Sequence, residues 1–269
     1  MATLRSTAFA LAAGLMSVGA ASAADLSAPG RPAAPVAPAP TWALQVTPYM
    51  WAAGMKGDIS PFRRAPTIAI EKSFSDVLND LNLGGFVNIW GRYDRYVLSV
   101  DAMYVDTTAA KAIGALPIVG ATPGLSAKID SKEFHATVQV GYRVVDTPQF
   151  TVDALAGGRV WHVSNDVAVN YGPFSVAYGE NFSWFDPVIG ARAFARLTDR
   201  LSFLAQADVG GFNAGSRFTW QALATLNYAF TDNLSASAGY KVLKVDYRSG
   251  GHVFDVTLSG PVLGMTYRF

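Results

Sequence analysis

The feature that most constrains this chain is alternation with a period of two. In residues 134–144, Phe134, Ala136, Val138, Val140, Tyr142 and Val144 share one face, and His135, Thr137, Gln139, Gly141 and Arg143 share the other. Successive side chains of a strand point to opposite sides, so this stretch specifies a strand with one apolar and one polar face. The pattern recurs at 96–105, where Leu98, Val100, Ala102 and Tyr104 oppose Ser99 and Asp101, and again at 201–210 and 218–230. Ten such segments can be traced, at 42–57, 83–93, 96–107, 131–145, 150–162, 183–197, 201–212, 218–231, 234–247 and 252–269. Each reaches the about 9–11 residues a tilted strand needs to cross a bilayer. A merged or missed hairpin would make the number eight or twelve.

The connections alternate in length. Asp94-Arg95, 146–149, 198–200 and 231–233 are short polar turns, whereas 58–82, 108–130 and 163–182 are long, with shorter loops at 213–217 and 248–251. Short turns at one end and long loops at the other characterise an antiparallel barrel of the outer-membrane type, with the turns periplasmic. A soluble sandwich or lipocalin-like barrel would share the periodicity and turn its apolar stripe inward. The aromatics favour the membrane reading. Tyr93, Tyr96, Phe150, Phe230, Tyr267 and Phe269 form a band at the turn side, and Tyr104, Phe134, Phe212, Phe218, Tyr247 and Phe254 a band at the loop side. Two such girdles around a Val/Leu/Ala belt are expected of a barrel in lipid.

The beginning of the chain agrees with export. Met1–Arg5 is a short positive start, 6–20 is apolar or small, and Ala21-Ser22-Ala23 is an A-x-A cleavage pattern, so 1–23 reads as a secretory signal peptide. Residues 24–41 form a Pro/Ala-rich periplasmic spacer of polyproline character, and 42–269 the barrel. Of 21 Lys and Arg only Arg5 lies in the leader, so 20 remain against 20 Asp and Glu, leaving no basic surplus for nucleic acid. Cys is absent, which excludes disulfides, thiolate nucleophiles and Cys-ligated zinc.

The segments PYMWAAGMKGD (48–58), SFSDVLNDL (73–81), DPVIGARAFARLTDRLSF (186–203), DVGGFNAGSRFTWQAL (208–223), SASAGYKVLKVDY (235–247) and FDVTLSGPVLGMTYRF (254–269) resemble an uncharacterised group of proteobacterial outer-membrane β-barrels, loosely related to the OmpA-type and small-porin superfamily. The resemblance covers the chain from Trp42 and implies fold and location; it carries no reaction, ligand or cofactor. The terminal Phe269 also resembles the insertion signal read by the barrel-assembly machinery.

Alternation places Arg92, Asp101, Arg143, Asp153, Arg159, Arg192, Asp208, Lys241 and Asp255 in the lumen, with Arg143 opposite Asp153, Asn88 opposite Asp101, and Arg192 near Asp208. About eight strands enclose an interior that side chains just fill, and open aqueous channels come with about sixteen. These charges are therefore expected to pair and plug the barrel, leaving at most a narrow polar pore. Gly260-Pro261 reads as a bulge that switches the inward parity of the last strand.

His135, His162 and His252 are each expected at the loop-side rim. An omptin-like site there would need carboxylates such as Asp130, Glu133, Asp166 or Asp186 beside a histidine. His162 and Ser164 in WHVSND resemble the His-x-Ser-Asn core of outer-membrane lipid A deacylases, with Asp166 or Glu180 to complete a triad. In SFSDVLNDL, Phe74, Val77, Leu78 and Leu81 fall on one face of a short helix with Ser73 or Ser75 as N-cap, suited to capping the barrel mouth. The apolar stretch 112–125 is expected to fold over the rim or touch lipopolysaccharide. The sequence thus points to a non-enzymatic outer-membrane barrel with a structural or interaction role and no cofactor, embedded among outer-membrane lipids. A small diffusion channel and a rim hydrolase are the alternatives.

Overall fold

The structure is a computed structural model that describes residues 41–60, 62–63, 66–112, 115–116, 120–121, 125–171 and 173–269. The leader and nearly all of the spacer lie outside the described residues. Among the latter, no helix is long and apolar enough to cross a membrane.

In chain order the elements are β1 (Trp42–Trp51), β2 (Gly54–Ser60), β3 (Ile68–Lys72), α1 (Phe74–Asp80), β4 (Leu81–Tyr93), β5 (Tyr96–Ala112), the short pair β6 (Ala115–Leu116) and β7 (Gly120–Ala121), β8 (Leu125–Asp146), β9 (Phe150–Tyr171), β10 (Phe174–Arg196), β11 (Leu201–Gly210), β12 (Phe218–Ala229), β13 (Leu234–Ser249) and β14 (His252–Arg268). Ten strands close into an antiparallel barrel in the order β1-β4-β5-β8-β9-β10-β11-β12-β13-β14, and β14 pairs back to β1. Closure pairs every strand on both sides at the turn end, which is what a barrel in hydrocarbon requires. The strand at 42–57 is two elements. β1 pairs with the second half of β14 and β2 with the first half, with β3 hairpinned onto β2.

The turn end holds Trp42, Phe269 and four tight connections. Asp94, at positive φ, and Arg95 join β4 to β5 across the Tyr93–Tyr96 pair. The opposite, loop end is built differently from expectation. Residues 108–112, 125–130, 163–171 and 174–182 continue the ladders instead of forming loops, so β8 and β9 run 22 residues each and β10 runs 23. At about 3.3 Å per residue these strands far exceed the thickness of a bilayer, even when tilted. The β11–β12 hairpin, at 10 and 12 residues, leaves the wall low on that side. Gly250 and Gly251, both at positive φ, make the two-residue turn that closes β13 onto β14 across the Ser249–His252 pair.

The two halves have opposite polarity. Toward the turn end the outer face carries Val138, Val140, Tyr142, Ile189, Leu226, Leu263 and Met265, all exposed. Its aromatic band of Tyr93, Tyr96, Phe150, Phe230, Tyr267 and Phe269 is exposed as well. Inside that half are Asp101, Arg143, Asp153, Arg159, Asp208 and Lys241, all buried. Toward the loop end the same strands put polar groups outside, such as His162, Ser164 and Asp166 on β9 and Lys244, Asp246 and Arg248 on β13. Inside that half Trp161, Val163, Phe182, Trp184, Leu243, Val245 and Tyr247 form a dry core.

Three expectations change accordingly. Tyr247 and Phe254 belong to this core and not to an outer girdle, being 7% and 4% exposed, whereas Phe134, Phe212 and Phe218 are exposed. Asp255 faces outward and meets Lys244 and Arg248, because even-numbered residues of β14 face inward along its whole length. Gly260-Pro261 therefore does not switch parity. The strand changes polarity because its surroundings change, with Val256 and Leu258 in the core while Asp255, Thr257 and Ser259 lie outside.

Candidate functional site: a filled lumen and a loop-end chamber

Neighbouring strands meet in register rows, and one row carries most of the buried charge. Asp101 of β5 pairs across the ladder with Thr137 of β8, Thr137 with Arg159 of β9, and Arg159 with Asp186 of β10. Because the barrel is narrow, these side chains also reach the far wall. Arg159 donates to Asp208 Oδ1 at 2.7 Å, to Thr219 Oγ1 at 3.0 Å and to Thr137 Oγ1 at 2.8 Å. Lys241 crosses from β13 to Asp101 Oδ1 at 2.6 Å and to Tyr49 Oη at 2.8 Å. Tyr49 in turn donates to Asp101 Oδ2 at 3.0 Å, and Asn88 Nδ2 lies 3.4 Å from the same oxygen.

Nearer the turn end, Arg143 grips Asp153 through two nitrogens at 2.8 and 3.4 Å. Arg192 lies 3.7 Å from Asp153, and both guanidinium groups stack on Trp90. Arg192 thus pairs with Asp153 rather than Asp208, since the register sets it opposite Asp153 on β9 and Gln206 on β11. Arg92 faces inward at the turn end and donates to the Asp94 carbonyl at 2.8 Å.

The interior holds four buried carboxylates, Asp101, Asp153, Asp186 and Asp208, and four buried cations, Arg143, Arg159, Arg192 and Lys241. Buried charge survives only when compensated and hydrogen-bonded, and this set balances. Asp186 enters the set from a strand whose expected role was a rim carboxylate. It accepts from Trp184 Nε1 at 3.0 Å and from the Ser216 backbone N–H at 2.6 Å, which folds the 211–217 connection into the barrel.

Directly above the charges lies an aromatic layer. Trp161 stacks on Trp184 with centroids 5.3 Å apart, Trp184 on Tyr247 at 4.1 Å, and Phe254 closes on Trp161 at 5.9 Å. Arg159 is 0% exposed, and Lys241 and Trp161 are each 1% exposed, so the lumen is filled at this level.

Beyond the aromatic layer a chamber of about 330 Å³ opens toward the loop end. Trp51, Met103, Val163, Phe182 and Phe254 form its floor, and Met55, Ile70, Val77, Phe86, Val105 and Ile129 its sides. Ser73 caps α1 through a capping box with Asp76, and the helix turns Phe74 and Val77 toward the barrel. Leu78, expected on that inner face, is exposed. Hydrogen bonding to Ser73 holds the Asp76 carboxyl below its ordinary range. Arg63 of the β2–β3 connection donates to Glu180 on β10 through its backbone N–H at 3.0 Å, and its Nε lies 2.9 Å from the same carboxylate. That backbone bond lowers the Glu180 pKa. A smaller polar recess of about 80 Å³ lies at the turn end, lined by Gln45, Thr47, Asn88, Gln206 and Arg268 among others.

Of the three histidines, His252 lies beside the loop-end turn as expected, its Nε2 3.5 Å from Glu180, whereas His135 lies deeper. His135 is fully buried beneath the chamber against Trp161 at 4.7 Å, and His252 is stacked on Phe182 at 4.3 Å. His162 and Ser164 are on the outer face, but His162 Nδ1 pairs with Ser183 Oγ at 2.7 Å rather than with Ser164 or a carboxylate. Glu180 faces inward on the neighbouring strand, engaged with Arg63. Among the described residues no three His, Asp or Glu converge as a metal site. Of the apolar stretch 112–125, only the β6–β7 pair and the strand ends at Ala112 and Leu125 are described.

No protein-family model and no curated sequence matches this chain. Solved structures with similar folds include the outer-membrane protease OmpT of Escherichia coli, at 9% identity and TM-score 0.49, covering 85% of this chain and 96% of OmpT. The translocator domain of the autotransporter NalP of Neisseria meningitidis is similar at 11% identity and TM-score 0.42, covering 87% and 90%. Ail, the attachment invasion locus protein of Yersinia pestis, is similar at 15% identity and TM-score 0.32, covering 85% and 99%. Likenesses this distant carry no activity across to this chain.

Proposed function

We propose that this chain is an integral outer-membrane barrel whose lumen is shut and whose working surface is the loop end, serving interaction and binding rather than diffusion. The observation that carries this reading is the filled cross-section. Lys241 and Trp161 reach across to β5 and β14, Arg159 reaches past β10 to β11 and β12, and none of the three has appreciable solvent exposure. Membrane placement is supported by the exposed Val/Leu/Ile belt and its aromatic bands, which would be an aggregation surface in water. The polar outer face above the belt suits the region beyond the bilayer, where lipopolysaccharide headgroups and water replace acyl chains. Against the diffusion-channel alternative stands the filled cross-section, and against the lipid A deacylase alternative the pairing of His162 with Ser183 instead of Ser164.

The test is conductance of the full-length mature protein in planar bilayers. The expected result is an electrically silent barrel. Discrete ohmic steps whose ion selectivity changes in Arg159→Ala or Arg192→Ala would establish a channel and overturn this reading.

A further inference from the structure

The loop-end chamber contains a carboxyl group that no neighbour grips directly. Glu133 faces inward on β8, in a register row with Val105 of β5 on one side and Val163 of β9 on the other. Both neighbours are apolar, and all three residues line the chamber. Among the described residues no hydrogen bond or ion pair reaches the Glu133 carboxylate. The cation that shares the chamber wall, Lys72, is already held by Asp80 at 2.9 Å. In the next row the polar groups satisfy one another, with Ser131 Oγ donating to Asn165 Oδ1 at 2.8 Å. The plug beneath is charge-balanced, and Glu180 above is neutralised by Arg63. The chamber is thus an apolar cavity of about 330 Å³ whose wall carries one carboxyl group, Glu133, that no hydrogen bond or ion pair engages among the described residues; burial raises its pKa to about 7, and Lys72 offsets that rise only in part. That volume lies at the lower end of small-molecule sites, which combine apolar walls with few placed polar groups.

The wall also supplies a way in. β1 pairs with β4 only from Trp42 to Pro48, so residues 81–86 of β4 have a ladder partner on β5 alone. β3, on the other side, pairs only with β2. The interval between these two unpaired edges is occupied by α1, and a Cβ built on Gly85 would meet nothing within 4 Å. An unpaired edge is tolerated only outside hydrocarbon, which agrees with the polar outer face at this height.

We propose that the chamber binds a small molecule with an apolar body and a protonated amine, the amine meeting Glu133 and the body resting on the Trp51, Phe86 and Val105 walls. A carboxylate among apolar side chains is costly unless an opposite charge or donors accompany it, and a cationic head supplies both. The inference rests on the reading of a shut barrel that works at its loop end.

The mature protein in lipid nanodiscs would be titrated calorimetrically at pH 8 with phenethylamine, its neutral N-acetyl derivative and the anionic 3-phenylpropionate. Empty nanodiscs correct for partition into lipid. Phenethylamine is expected to bind at least tenfold more tightly than the other two. Glu133→Gln, verified as folded by heat-modifiable gel mobility, should erase that preference, and Val105→Trp, which fills the cavity, should abolish all binding. Heat no greater than that of empty nanodiscs, or an amine preference that survives Glu133→Gln, overturns the proposal. A silent bilayer record together with absent amine binding sinks this inference alone, whereas conductance steps sink the reading beneath it.

Discussion

The outer face of β9 reads Ala154, Ala156 and Val160 toward the turn end and His162, Ser164 and Asp166 toward the loop end, and its inner face reads the other way. One strand carries an outer face suited to lipid along half its length and an outer face suited to water along the rest. On the proposed membrane reading, lipid surrounds the turn-end half, so the interior can hold compensated charge. In the loop-end half water is outside, and stability comes from burying Trp161, Phe182, Leu243 and Val256 as any soluble barrel would. The charge belongs where the surroundings are apolar, and the dry core belongs where they are wet.

The sharpest break in this comparison comes from the plug. Arg159→Ala strands Asp208 without its cation and is expected to cost about 3–5 kcal/mol, read as a lowered urea midpoint in lipid vesicles. Leu243→Ala in the loop-end core should cost about 2–5 kcal/mol through cavity formation, with no change in the charge balance below. Outward substitutions separate the two solvents. Val140→Arg, in the belt, should cost about 2–4 kcal/mol, whereas Ser164→Arg on the outer face above it should fall within about 0.5 kcal/mol of wild type. Equal costs would erase the proposed boundary.

The tie between Arg63 and Glu180 gives a smaller, pH-dependent effect. The folded pKa of Glu180 lies below its unfolded value of about 4.3, so the tie adds stability above that pH and loses it as the pH falls through the lowered folded value. Hydrogen exchange at the Arg63 amide should therefore be flat from pH 7 to 5, after correction for intrinsic rates, and lose protection only in stronger acid. Smallest of all, Ser73→Ala should speed exchange in α1 by roughly fivefold, the worth of one N-cap, while leaving the barrel strands unchanged.

The ten barrel strands, their approximate positions and the turn-end band were legible because alternation and short polar turns are local signals. Asn88 opposite Asp101 was legible too, since a tight turn fixes the register of the hairpin that follows it, whereas Arg143 meets Asp153 only through a register shift at Val144, between the turn and that pair. The partner of Arg192 was not, because its inter-strand neighbours follow from the stagger of the closed ring rather than from one hairpin. The polarity reversal escaped for a different reason. Alternation has the same period whichever face is apolar, so 163–182 looked like loop and Asp255 looked internal once a single inside-outside assignment was carried past the membrane boundary. The α1 helix and its Ser73 cap followed from the sequence, while the exposure of Leu78 depends on which side of the helix the barrel mouth lies. Glu133 was visible only as a rim acid, since nothing in the sequence says that its row neighbours on two other strands are valines.

The break in the wall above Pro48 has a mechanical consequence. Around the turn end every strand is hydrogen-bonded on both sides, and any change of girth there must break ladder bonds. Around the loop end the described ladders leave a slit between β3 and β4, and α1 packs beside it against β2, β3 and β5. The barrel is therefore a continuous ring of ladders at its base and an open-edged wall at its mouth, where the facing edges of β3 and β4 keep their outer backbone groups outside any ladder.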